Sequence, residues 1–137
     1  MNSPFTIDAS VFVSAFSPAE PAHPQSKAFM RRVRDESVPI IVPALVLPEV
    51  ASAIARGQGK PDLGVAFAEE LISFPNLTLA AVDESLARLA VEIAARHRLR
   101  GSDAVYAAVT LRFGTELVTL DSEQLARLEG VVTVRSP

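Results

Sequence analysis

Cysteine is absent from the 137 residues. Disulfide frameworks, thiolate zinc sites and cysteine nucleophiles are therefore excluded. A basic excess is missing too: 13 Lys and Arg stand against 16 Asp and Glu, a net charge of −3. A passive nucleic-acid binder usually presents a basic surface, so composition alone speaks against one. No run approaches the roughly 20 apolar residues of a membrane span. The most apolar stretch, Val38 to Val50, is broken by Pro39, Pro43, Pro48 and Glu49. Met1 to Thr6 has neither a basic nor an apolar signal region and is not read as a signal peptide. Internal repeats and low-complexity tracts are also lacking. These absences fit a cytoplasmic protein.

What is present is enough for a core. Apolar residues make up 49% of the chain, and residues 1–137 read as one domain. Phe5 to Ile7, Ile40 to Val42, Leu117 to Leu120 and Val131 to Val134 are short apolar or β-branched runs, with Leu77 to Val82 a fifth. They are continuous rather than alternating, as strands buried on both faces are. Helical periodicity lies between them. Ala22, Ser26, Phe29, Met30 and Val33 share one face, as do Leu86, Leu89, Ala90, Ile93 and Ala94. Asp83 is placed to cap the second of these helices, and Gly101 to end it after Arg96, Arg98 and Arg100. Ser102 then caps a helix over Asp103 to Phe113. Strands alternating with helices predict an α/β fold with a mostly parallel five-stranded sheet flanked by helices.

Four acids stand in unusual settings. Asp8 and Asp121 each follow a predicted strand, Asp103 opens a helix, and Glu49 lies inside an apolar run. Each alone has a plain reading as a cap, a turn residue or a solvent-facing side chain. Together they can converge beyond the carboxyl ends of the strands, where open parallel sheets bind ligands. Converging carboxylates must take up protons or bind cations. An all-oxygen set selects hard cations, Mg²⁺ or Mn²⁺, over zinc. Phosphodiester hydrolysis is the chemistry that most often uses such a set. Pro48 just before Glu49 either starts its helix or kinks it.

At these residues the chain resembles the PIN-domain family, and its VapC-type branch in particular: small metal-dependent ribonucleases, mostly toxins of bacterial and archaeal toxin–antitoxin pairs. Ile7 to Val13 resembles the opening hydrophobic-Asp-small-Ser motif, and Val42 to Ala51 the helix that supplies the family's Glu. Arg100 to Ala108 resembles the third motif, and Leu117 to Asp121 followed by Leu125 the fourth. The resemblance implies strand order 3-2-1-4-5. It implies Asp8, Glu49, Asp103 and Asp121 as catalytic acids holding one or two Mg²⁺ or Mn²⁺ ions, with Ser10 and Thr119 as supporting polar residues. A fifth acid found in some members has no clear counterpart near Asp121. The implied activity is endoribonuclease action on RNA, with a homodimer and a separate antitoxin as partners.

The remaining residues divide. Arg98 and Arg100 suit either a helix C-terminus or phosphate contact, whereas Arg31, Arg32 and Arg34 read as a solvated face. Tyr106 reads as packing, His97 as a poor metal ligand because no other His is near in sequence, and His23 as a residue of a proline-rich loop. A receiver domain would need a late lysine, but the two lysines are Lys27 and Lys60. An aspartate-nucleophile phosphatase would show Asp-x-Asp where this chain has Asp8-Ala9-Ser10. A non-catalytic scaffold on the same fold, or a solitary nuclease without an antitoxin, is the remaining alternative. Without the four acids the chain carries 13 − 12 = +1, so the net charge does not itself exclude an RNA substrate.

Overall fold

The computed structural model describes residues 3–137. Met1 and Asn2, which open the segment read as unlike a signal peptide, lie outside the described residues. The elements run β1 (Phe5–Ile7), α1 (Ala9–Phe16), α2 (His23–Asp35), β2 (Ile40–Pro43), α3 (Val46–Gln58), α4 (Pro61–Ile72), β3 (Leu77–Ala80), α5 (Glu84–His97), α6 (Gly101–Phe113), β4 (Glu116–Val118), α7 (Ser122–Arg127) and β5 (Val134–Arg135). Every strand pair is parallel, and the order is β3-β2-β1-β4-β5. The chain therefore moves outward from β1 to β3, then crosses back to start again at β4. Right-handed crossovers send helices to both faces of such a sheet. No helix among the described residues is long and apolar enough to cross a membrane.

The core follows the sequence pattern. Ile7, Ile40, Val42, Leu117 and Val118 from the central strands are fully buried. α2 buries Ser26, Phe29, Met30 and Val33, and α5 buries Leu86, Ala90 and Ile93, the expected faces. α6 packs against β1, β2, β4 and α5 and is buried nearly all round. Its small residues, Ala104, Ala107 and Ala108, let it lie close to the sheet. Aromatic contacts tie the other layers. The Phe5 and Phe29 rings lie 5.2 Å apart, and those of Phe16 and Phe67 4.6 Å apart.

Several local expectations are corrected. α5 ends at His97, not beside Gly101, because Arg98 itself takes the left-handed turn (φ 54°). Leu99 then points inward, and its N–H donates to the Ala94 carbonyl at 3.2 Å. Gly101 consequently begins α6 and Arg100 sits at its N-cap, so Ser102 is not the cap. β4 stops at Val118; Thr119 N–H still donates to the Arg135 carbonyl at 3.0 Å, and side chains take the two backbone donors after it. Leu120 N–H donates to Ser10 Oγ at 3.2 Å and Asp121 N–H to Thr119 Oγ1 at 3.0 Å. Of Val131 to Val134 only Val134 is in a strand. The N–H groups of Val131 and Val132 turn back to the Leu128 carbonyl, with Gly130 at φ 82° making the bend. Pro48 neither begins nor kinks α3. It is the third residue, in the first turn, where no helical hydrogen bond is lost.

α3 and α4 pack through Gly64. A Cβ there would lie 2.4 Å from the backbone oxygen of Ala51. Alanine would gain about 1 kcal/mol in helix propensity. A backbone clash costs more, because helix α4 must shift as a body. Gly64→Ala is expected to destabilise the protein by about 1–3 kcal/mol, read as a lower urea midpoint; a higher midpoint would disprove the close contact.

Candidate active site

The strand order reverses between β1 and β4, and ligands of open parallel sheets bind outside the strand ends at that point. Asp8 leaves the end of β1 and caps α1, its Oδ2 accepting the Ser10 N–H at 3.1 Å. Asp121 follows β4 and caps α7, its Oδ1 accepting the N–H groups of Glu123 at 2.8 Å and Gln124 at 3.2 Å. Asp103 stands in the first turn of α6, and Glu49 in the first turn of α3. All four acids line one cavity of about 760 Å³. The plain and functional readings thus coexist: Asp8 and Asp121 are caps that also face the cavity.

Ser10 and Thr119 support this edge. Through the Leu120 and Asp121 N–H groups they shape the turn that carries Asp121. Arg100 reaches across it. Its Nε donates to Asp103 Oδ2 at 3.1 Å and its Nη2 to Asp121 Oδ2 at 2.8 Å, while its side chain is 68% exposed. Arg98 does not line the cavity; it is exposed, and its carbonyl accepts from Arg127. Arg31, Arg32 and Arg34 are exposed on α2.

Three residues at the site escape a reading of the sequence by motif. Tyr106 is packed as expected, fully buried, yet its hydroxyl donates to Glu49 Oε1 at 2.6 Å. Arg56 lines the cavity with Glu49, Ser52 and Ala53. Their spacing of three, four and seven residues marks one helix face, a signal that was available in the sequence. Gln124 is buried, and its Nε2 donates to Asp103 Oδ1 at 3.0 Å and Asp8 Oδ1 at 3.4 Å. Nothing in the sequence marks it apart from its position in the first turn after Asp121.

Negative charge at this edge is only partly balanced. Burial pushes the Glu49 carboxyl above its ordinary 4.5; Tyr106 opposes the shift, and the charges of Asp8 and Asp103 add to it. Burial likewise raises Asp103 above its ordinary 3.8, against the pull of Arg100 and with the push of Asp8 and Asp121. Tyr106 is driven far above its ordinary range by burial and then by Glu49, so it serves Glu49 as a permanent proton donor. The Asp103–Arg100–Asp121 bridge keeps the guanidinium firmly charged. An all-oxygen donor set carrying unrelieved negative charge suits a hard divalent cation. Among the described residues, however, no three acidic or histidine side chains are grouped so that they could hold a metal ion as they stand. Arg100, Gln124 and Tyr106 engage them instead.

A carboxyl whose pKa is raised on folding stabilises the fold most while it is protonated. That contribution is whole below the ordinary carboxylate range and is lost as pH rises through the raised values. In EDTA, these two groups are therefore expected to make stability fall as pH rises above the ordinary carboxylate range. Glu49→Gln should flatten that slope in urea unfolding curves. Parallel curves for the two proteins would show that Glu49 carries no such shift.

Comparison with known proteins gives the family of the chain. A family model described as PIN domain matches residues 5–131. Among solved structures, the chain is similar to the sarcin–ricin-loop-cleaving toxin VapC20 of Mycobacterium tuberculosis. The TM-score is 0.77 at 19% identity, over 97% of this chain and 99% of that one. It is similar also to VapBC2 of Rickettsia felis, solved with a DNA fragment from its promoter, with a TM-score of 0.73, 12% identity and 98% of each chain covered. A toxin–antitoxin complex from Klebsiella pneumoniae matches with a TM-score of 0.68, 16% identity and 96% of each chain covered. No curated protein matches.

Proposed function

Since the chain belongs to the PIN-domain family, we propose that it is a metal-dependent endoribonuclease, the toxin of a toxin–antitoxin pair. The observation that carries this reading is the convergence of Asp8, Glu49, Asp103 and Asp121 on one cavity at the strand-order reversal. Solitary nuclease and scaffold readings explain the fold equally. The complete acidic set favours catalysis over scaffolding, and the toxin names of the similar structures favour an antitoxin partner.

The four carboxylates are the proposed ligands of Mg²⁺ or Mn²⁺, which when bound would activate water and offset charge on the scissile phosphate. Asp8 and Asp121 are held on helix caps, so their backbone positions are set before any cation arrives. Glu49 is oriented by Tyr106. Arg100, largely exposed and held at its guanidinium by Asp103 and Asp121, can exchange these carboxylate partners for a substrate phosphate. Arg56 also lines the cavity, on the face of α3 that carries Glu49, and offers a second phosphate contact. A neighbourhood of two arginines over an acidic floor suits a polyanion that is drawn in by the rim and bridged at the centre. The same reading takes the protein as a homodimer bound by a separate antitoxin.

Asp8→Asn and Asp103→Asn test it. Asparagine retains hydrogen-bonding capacity at the α1 cap and removes the charge. RNA cleavage should need Mg²⁺ or Mn²⁺, stop in EDTA, and fall by about 10²-fold or more in either variant. Cleavage that continues in EDTA, or survives both substitutions, would rule the reading out.

A further inference from the structure

Gln124 is not an acid, yet it joins three of the four. Its backbone N–H donates to Asp121 Oδ1 at 3.2 Å. Its side-chain Nε2 donates to Asp103 Oδ1 at 3.0 Å and to Asp8 Oδ1 at 3.4 Å. Carboxylates from the end of β1, the start of α6 and the cap of α7 thus meet at one residue that is 1% exposed.

The rest of that side chain is unfavourable. Gln124 Oε1 is buried without a hydrogen-bond partner. Such an orphan costs about 1–3 kcal/mol, which an apolar side chain of the same length would avoid. Turning the amide over would not help, because the oxygen would then face two carboxylate oxygens. The orientation is therefore dictated by the acids. The choice of an amide also has a chemical logic. One nitrogen carries two diverging N–H bonds, one for each carboxylate. It is neutral, so it draws Asp8 and Asp103 together without cancelling the charge a cation needs. A lysine or arginine in this buried position would cancel it.

We propose that Gln124 is a positioning residue, a neutral brace that holds Asp8 and Asp103 side by side for a divalent cation. This rests on the metal-dependent reading of the site. Hydrogen-bond partners behind metal ligands typically set affinity by about 10–100-fold.

Two variants of the full chain test it, Gln124→Met and Gln124→Glu, with Mn²⁺ titrated by calorimetry and melting followed in EDTA at pH 8. Gln124→Met removes the brace and the orphan oxygen together. It should stay folded in EDTA and bind Mn²⁺ about 10–100-fold more weakly than the unaltered protein. Gln124→Glu sets a third carboxylate against the pair. It should melt below both other proteins in EDTA and regain stability as Mn²⁺ is added. If Gln124→Met does not fold, the melting of Gln124→Glu decides. Unchanged Mn²⁺ affinity in Gln124→Met, or an unchanged melting temperature of Gln124→Glu in EDTA, would overturn the brace while leaving the metal site standing. An unaltered protein that binds no Mn²⁺ would overturn the metal site and the brace with it.

Discussion

Four carboxylates gathered at one edge of a parallel sheet repel one another, and the rest of the local structure answers that repulsion. β1 and β4 lie side by side because the strand order reverses there, so the residues that follow them are forced together. Asp8 and Asp121 inherit that proximity from the backbone. Asp103 arrives on α6, the buried helix whose alanines seat it against the sheet. Glu49 arrives on α3. No one element owns the site. It exists only when the sheet, α3, α6 and α7 are assembled, which ties its formation to the global fold.

The repulsion is met in three different ways. Backbone N–H groups at the starts of α1 and α7 take one oxygen each of Asp8 and Asp121. An exposed, charged partner, Arg100, takes the outer oxygens of Asp103 and Asp121. Buried neutral donors, Tyr106 and Gln124, take Glu49 and the inner pair. Among the described residues, Arg100 is the cation bonded directly to these acids. The buried partners orient without neutralising, and burial, helped by the neighbouring acids, holds Glu49 and Asp103 above their ordinary pKa values.

Much of this was legible in the residues. Apolar runs located the five strands, and periodicity located the faces of α2 and α5, because burial in a parallel sheet imposes both patterns. The strand order and the acid set came from the resemblance of ordered motifs. The junction between α5 and α6 was misread for a physical reason. Gly101 is the obvious left-handed terminator, but the molecule puts Arg98 there, at the modest cost of a non-glycine in that region. Burying Leu99 offsets it, and nothing local reveals that. Arg56 was within reach, since it stands one helical face along from Glu49. Gln124 was not, because an amide in a short helix has no spacing signature; only the folded arrangement gives it meaning.

The caps at Asp8 and Asp121 divide each carboxylate between two duties. In Asp121, Oδ1 serves the helix and Oδ2 meets Arg100. Asparagine and serine perform the first duty nearly as well and cannot perform the second. A lineage of this fold is therefore one codon change from losing a charge at this edge with its architecture intact. Descendants that keep the shape and lose the charge are easy to reach, and they would be recognisable by asparagine or serine at these two helix starts.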